Sequence, residues 1–237
     1  MHIGLVSYRC KNRDIAFNLG QIERAMREAH GKADLLCFGE AYLQGFDALC
    51  WNYETDREMA LETTSEPVRQ LARWTKQYHT ALLTGYLERD RGRLYSSCFV
   101  LADGEIVHNY RRISRGWKES SKTDAHYAEG NETGAFRFQD KKISLALCGD
   151  LWDFPERFKT DGLLIWPVYV NFSVREWEDR ELADYARQAS LAAGRVLMVN
   201  PIDRDPENHG GAFFFKNGSI AARTPFDQER ILIVDVE

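Results

Sequence analysis

Apolar positions change their period along the chain, and each change marks an element. Residues 3–7 form a short apolar run that reads as a strand. Asp14 then stands at a helix start, and Ile15, Leu19, Ile22, Met26 and Ala29 recur at helical spacing to about residue 30, where Gly31 ends the pattern. Residues 33–38 are a compact apolar run, as expected of a strand covered on both faces. Ser65-Glu66-Pro67 opens a second helix whose buried stripe is Val68, Leu71, Ala72, Thr75 and Tyr78. Residues 81–86 are strand-like, and 94–101 and 105–113 flank Asp103-Gly104, a hairpin turn signal. Further apolar runs cover 143–148 and 163–166. A long helix is predicted over about 176–193, closed by Gly194, with a strand at 195–200. Asn217-Gly218 joins 212–215 to 219–222 as a second hairpin, and 231–236 alternates as a final strand. Strands alternate with a few helices, with no repeat and no linker. The pattern predicts one α/β domain with mixed sheets over residues 1–237.

Composition narrows the partners. The 237 residues carry a formal net charge of −5, which gives no attraction to phosphate backbones or anionic membranes. The nearest basic cluster, Arg111, Arg112, Arg115 and Lys118, is short and reads as a solvated face. Neither nucleic acid nor a membrane is therefore an expected partner. No run of about 20 apolar residues predicts a membrane span, and the N-terminus lacks the pattern of a secretory signal. Five cysteines, at 10, 37, 50, 98 and 148, are an odd number with no CxxC pair. That argues for reduced thiols in a cytoplasm and against a structural zinc site.

Three of the strand runs end in reactive or charged residues. Residues 33–38 lead into Gly39-Glu40, 143–147 into Cys148-Gly149-Asp150, and 105–110 into Arg111-Arg112. Ligands in layered α/β folds collect beyond the carboxyl ends of strands, so the three tips are expected to converge. At Cys148 the following glycine allows a sharp turn that lifts the thiol into a cleft, and Pro155 suits a first helical turn beyond it. A helix starting near the thiol favours thiolate. The plain alternative is an inert cysteine packed as a small hydrophobe at a strand end. Glu40 follows an apolar run, where a carboxylate is costly to bury unless paired, and a desolvated carboxylate is a competent base towards a thiol. Its plain alternative is an exposed loop glutamate.

Read together, these segments resemble the nitrilase, or carbon–nitrogen hydrolase, superfamily. Leu36-Cys37-Phe38-Gly39-Glu40 resembles the segment that ends in that family's base glutamate. The stretch from Leu147 and Cys148 through Asp150 to Phe154-Pro155-Glu156 resembles its nucleophile segment with one extra residue. Tyr110-Arg111-Arg112 resembles the segment of the third catalytic group, Tyr127-Ala128-Glu129-Gly130 the aromatic-x-Pro-Gly step, and Gly210-Gly211 with the Asn217-Gly218 hairpin the C-terminal layout. The resemblance implies a four-layer α-β-β-α sandwich. It also implies a thiol amidohydrolase in which Glu40 deprotonates Cys148, a lysine stabilises the oxyanion, and a thioester is hydrolysed without metal or organic cofactor. A small amide or carbamoyl substrate and a homodimer or larger homo-oligomer are implied likewise.

One departure concerns the cation, because arginine stands at 112 where the family has lysine. Arginine keeps its charge at any working pH and cannot shuttle a proton. Lys118 is the expected replacement, with Gly116 letting the loop fold its ammonium back; Arg112 as substitute and an impaired site are the alternatives. Asp124 stands near the position of a further family carboxylate, and equally suits a turn. Tyr42, Trp152, Trp166 and Asn171, with Phe46 and Tyr169, are candidates to line the substrate pocket by their proximity to the motifs. The same thioester also serves an acyltransferase, and the same fold serves a non-catalytic binding protein.

Overall fold

A computed structural model describes residues 1–204 and 207–236. Its twelve strands are β1 His2–Ser7, β2 Leu35–Cys37, β3 Ala81–Asp90, β4 Arg93–Ala102, β5 Glu105–Arg111, β6 Gly134–Phe138, β7 Lys141–Leu145, β8 Thr160–Pro167, β9 Ala193–Arg204, β10 Glu207–Lys216, β11 Ser219–Arg223 and β12 Arg230–Asp235. They form two six-stranded sheets, ordered β12-β1-β2-β3-β4-β5 and β11-β10-β9-β8-β7-β6. Both sheets are mixed. β1, β2 and β3 run parallel, as do β7, β8 and β9, and the outer strands pair antiparallel.

The period-2 alternation of strands explains how the layers stack. In the first sheet Ile3, Leu5, Leu35, Cys37, Leu83 and Val100 face the second sheet and share one core with Ile143, Leu145 and Ile165. Their neighbours Val6, Leu36, Phe38, Leu82, Phe99 and Leu101 point the other way. They pack on Ile22 and Met26 of helix α1 (Ile15–Ala29) and on Val68, Leu71 and Trp74 of helix α3 (Glu66–Tyr78). Helix α2 (Tyr53–Met59) lies in the long connection between β2 and α3. On the far face of the second sheet lies a helical run made of α5 (Val174–Glu176), a π-helical stretch (Trp177–Glu181) and α6 (Leu182–Ser190). Trp177, Leu182, Tyr185 and Ala189 join the core there. The result is the four-layer α-β-β-α sandwich.

The helix starts are those the sequence signals: the Asp14 side chain accepts from Phe17 N, and Pro67 sits in the first turn of α3. Gly194 is a correction. The last helix stops at Ser190, and Gly194 lies inside β9. Its carbonyl accepts from Asn217 N at 2.9 Å, and a side chain there would press on the Asn217 amide, so the glycine serves the neighbouring hairpin turn. Strand β6 and helix α2 have no counterpart in the sequence pattern. β6 reads Gly134-Ala135-Phe136-Arg137-Phe138, too short and mixed to stand out alone. No helix among the described residues is long and apolar enough to cross a membrane.

Candidate active site

The parallel strands β2 and β7, together with β5, end at one place between the sheets. β2 ends at Cys37, and Phe38-Gly39 carry the backbone on to Glu40, whose N–H donates to Val168 O of the other sheet at 3.2 Å. The turn that follows passes very close to Gly85 of β3. A Cβ on Gly85 would sit 2.6 Å from Gly39 O and 2.7 Å from Glu40 Cα, so only glycine tolerates this approach. The Glu40 side chain is fully buried. Its Oε1 accepts from Ser96 Oγ at 2.7 Å and from Arg112 Nη1 at 2.8 Å, while its Oε2 has no hydrogen-bond partner. A buried carboxylate oxygen left without a partner is costly, which marks it as a group kept for another task.

Arg112 follows directly on β5 and is only 3% exposed. Besides Glu40 it donates from Nε to Ser114 Oγ at 2.7 Å. Burial acts first to lower its pKa, but the charge and hydrogen bond of Glu40 pull the other way, the net shift is upward, and the guanidinium stays protonated.

Cys148 lies beyond β7 and takes φ of 39°, in the left-handed region. The sharp turn is therefore borne by the cysteine itself and not by Gly149, whose φ is −62°. Cys148 N donates to Pro167 O at 2.9 Å, and Trp166 Nε1 donates to Cys148 O at 2.8 Å. Both peptide groups are thus held, and this offsets the strain of a left-handed non-glycine residue. The thiol pKa is pushed up to about 12, first by burial and then by the Glu40 charge, while Arg112 pulls it down. A neutral thiol is the resting form. The expected thiolate-favouring helix is a single turn, α4 (Asp150–Asp153), and is outweighed by desolvation.

Asp150 ties two of the tips together. Its fully buried carboxylate accepts from Tyr110 Oη at 2.5 Å, Ile113 N at 3.0 Å, Ser114 N at 2.8 Å and Leu147 N at 2.9 Å. The segment carrying Arg112 and the turn carrying Cys148 are pinned to one carboxylate. Asp150→Ala is expected to strand three buried N–H groups and cost at least about 3 kcal/mol, since each buried unsatisfied group costs about 1–3 kcal/mol. Urea unfolding of the variant measures this, and a loss below about 1 kcal/mol would refute the clamp.

The remaining sequence candidates separate. Lys118 is not brought to Glu40. Its ammonium is engaged by the Tyr127 carbonyl and by Glu129 Oε1 at 2.6 Å, and its side chain is 12% exposed. Gly116, expected to fold Lys118 inwards, instead borders the Arg112 guanidinium, 3.2 Å from where a Cβ would stand. Tyr42 is fully buried in the core under α1, donating to Arg9 O at 2.7 Å, so it lines no pocket. Trp166 is also fully buried and acts as a strut for the Cys148 carbonyl. Asp124 is exposed and caps its own loop through His126 N and the His126 ring. Trp152, 38% exposed, stands edge-on to Tyr185 four residues after Cys148. Asn171 is exposed in the loop between β8 and α5. Phe46 stacks on Tyr169, whose hydroxyl is shared by Asp47 and Asp203. Ser96, Ser114 and Asp150 are site residues that the strand reading passed over. The available signal was polar side chains inside or just beyond otherwise buried runs. Among the described residues, no group of three or more His, Cys, Asp or Glu side chains is placed to hold a metal ion.

Comparison with known proteins bears on the family and the fold. The chain is 28% identical over 159 residues to an (R)-stereoselective amidase from Pseudomonas sp, covering 66% of this chain and 54% of that protein. It is 25% identical over 162 residues to the N-carbamoylputrescine amidase of Arabidopsis thaliana, covering 65% of this chain and 52% of that protein. These matches span about half the length of either relative. A glutamate-to-glutamine mutant of an amidase from Nesterenkonia sp. AN1, solved with acrylamide added at its active-site cysteine, superposes over 100% of this chain and 93% of its own. The TM-score is 0.79 at 16% identity, a likeness of fold. The family model for carbon-nitrogen hydrolases matches residues 2–237, and the chain belongs to that family.

Proposed function

We propose that this chain cleaves the C–N bond of a small linear amide or carbamoyl compound through a thioester on Cys148. Glu40 is the base and Arg112 the fixed cation beside it. The observation that carries the reading is the divided Glu40 carboxylate: one oxygen is held by Arg112 and Ser96, the other is buried without a hydrogen-bond partner, and the Glu40 charge acts directly on the Cys148 thiol. Glu40 takes the Cys148 proton as sulfur attacks the carbonyl carbon. The protonated Glu40 then gives that proton to the departing ammonia or amine as the C–N bond breaks. Water, deprotonated by Glu40, attacks the thioester; the C–S bond breaks, the thiol recovers its proton and the acid leaves. The guanidinium holds negative charge at each stage without exchanging protons, so every proton transfer runs through Glu40. The amidases among the relatives, and the Michael addition of acrylamide to the active-site cysteine in the glutamate-to-glutamine mutant of the Nesterenkonia amidase, support a reactive thiol at this place.

The test is a panel of small amides and carbamoyl compounds, read by acid and ammonia release and by intact mass. An acyl adduct on Cys148 with release of acid is the expected result. Fold alone with no adduct from any member would favour the binding-protein reading, and acid release only as an amide of added amine would favour acyl transfer. The cation is tested separately. Arg112→Ala is expected to lower turnover at least about 100-fold, the usual size for loss of a group stabilising transition-state charge. Lys118→Ala is expected to change it less than about 3-fold, because its ammonium pairs with Glu129. The reverse pattern in kcat/KM would return the role to Lys118.

A further inference from the structure

The guanidinium of Arg112 is larger than the ammonium it replaces in the family pattern, and the chain has to find room for it. Its Nε and Nη1 are both committed, to Ser114 Oγ and to Glu40 Oε1. Nη2 therefore has a fixed place, and that place is against the backbone of Gly149. A Cβ on Gly149 would fall far inside van der Waals contact of Nη2, 3.0 Å from Ser114 Oγ and 3.3 Å from Arg112 Cζ. Gly149 has φ of −62°, which any residue adopts, so its backbone conformation does not demand glycine. What demands it is the neighbouring side chain. An arginine head can usually swing aside, but here the side chain is buried and anchored at two nitrogens, so moving it breaks the Glu40 pair.

We propose that Gly149 is a positioning residue that admits the guanidinium, so that arginine at 112 and glycine at 149 form one unit in which each requires the other. This rests on the reading of Arg112 as the site's cation. It predicts that a side chain at 149 harms the site only while arginine occupies 112. Arg112→Lys removes both Nη atoms, including the one that meets the new methyl, leaves only an Nζ near the place of Cζ, and by removing the Nε donor frees the Ser114 hydroxyl to rotate away.

The experiment is a double-mutant cycle of Gly149→Ala and Arg112→Lys on the full chain. It is read by the iodoacetamide alkylation rate of Cys148 across pH 6 to 10 and by thermal unfolding. Peptide mass mapping is needed to isolate Cys148, because Cys50 is also exposed. With Arg112 present, Gly149→Ala is expected to slow Cys148 alkylation at neutral pH at least about 10-fold and to move its pH profile upward. With Lys at 112, the same change is expected to cost less than about 3-fold, since coupling between touching residues is of this order. If Gly149→Ala unfolds the chain only in the arginine background, the same exclusion is seen through stability. Equal costs in both backgrounds, no cost in the arginine background, or failure to fold in both would overturn the proposal. Alkylation needs no substrate. Coupling without any amide turnover would therefore sink the amidase reading alone, and turnover without coupling would sink this one alone.

Discussion

Replacing Cys148 by alanine is expected to abolish turnover, a loss of about ten-thousand-fold or more, while leaving the fold in place. The thiol is the only atom group removed. It donates to the Tyr169 carbonyl at a long 3.8 Å and otherwise faces the Glu40 carboxylate, so its removal breaks no strong bond. The peptide bonds that hold the turn, Cys148 N to Pro167 O and Trp166 Nε1 to Cys148 O, do not depend on the side chain. The methyl keeps the same φ restriction, so the strain at 39° is unchanged. Thermal unfolding should therefore shift little. Cys148→Ser is expected to fare hardly better in turnover, because a hydroxyl is far harder to deprotonate than a thiol. Turnover retained in Cys148→Ala above about one part in a hundred would remove the nucleophile assignment.

Glu40→Gln is expected to lower turnover by about a thousand-fold or more while making the Cys148 thiol more acidic. The two effects have opposite signs for a physical reason. The Glu40 charge is the second largest cause that pushes the thiol pKa up to about 12, and Arg112 is the opposing one. Without the carboxylate charge burial still raises the thiol pKa, but the guanidinium no longer has an opposing charge beside the sulfur, so the thiol pKa falls. Thiolate absorbance near 240 nm, taken against Cys148→Ala as blank, should then rise at a lower pH than in the parent chain. The same substitution leaves the buried Arg112 charge uncompensated, which is expected to cost about 3–5 kcal/mol of stability. A thiol titration that moves upward, or does not move, would mean that Glu40 does not face Cys148 in the way the reaction requires. Unchanged turnover would remove Glu40 as the base.

The site was legible in the sequence at its reactive ends and illegible between them. Glu40 and Cys148 stand out because a charged or nucleophilic residue directly beyond a buried run is conspicuous in a linear pattern. Ser96 does not stand out, because it lies mid-strand in β4 and its role appears only when β4 is laid beside the turn after β2. Asp150 was visible as part of a motif, but its work is to collect N–H groups from two segments far apart in the chain. Two of the aromatic candidates, Tyr42 and Trp166, lie in the core for a related reason. Nearness in sequence to a motif says nothing about which face of a strand a ring occupies, and Tyr42 and Trp166 both turned into cores.

The sequence by itself determined the order of the strands and helices apart from β6 and α2, the hairpins at Asp103-Gly104 and Asn217-Gly218, and the pair of residues proposed for base-assisted thiol chemistry. These follow from local periodicity, turn chemistry and side-chain reactivity, all of which are read within a few residues. Where Arg112 and Lys118 lie relative to Glu40 was decided only by the tertiary structure. Both are cations six residues apart on one loop, and nothing local distinguishes them. One is buried against a carboxylate brought in from residue 40, and the other pairs with Glu129, so the partner each cation meets in space is what the proposal for Arg112 rests on. The room at Gly149 is likewise a fact of packing between segments, because a missing Cβ has meaning only beside the side chain that fills its place.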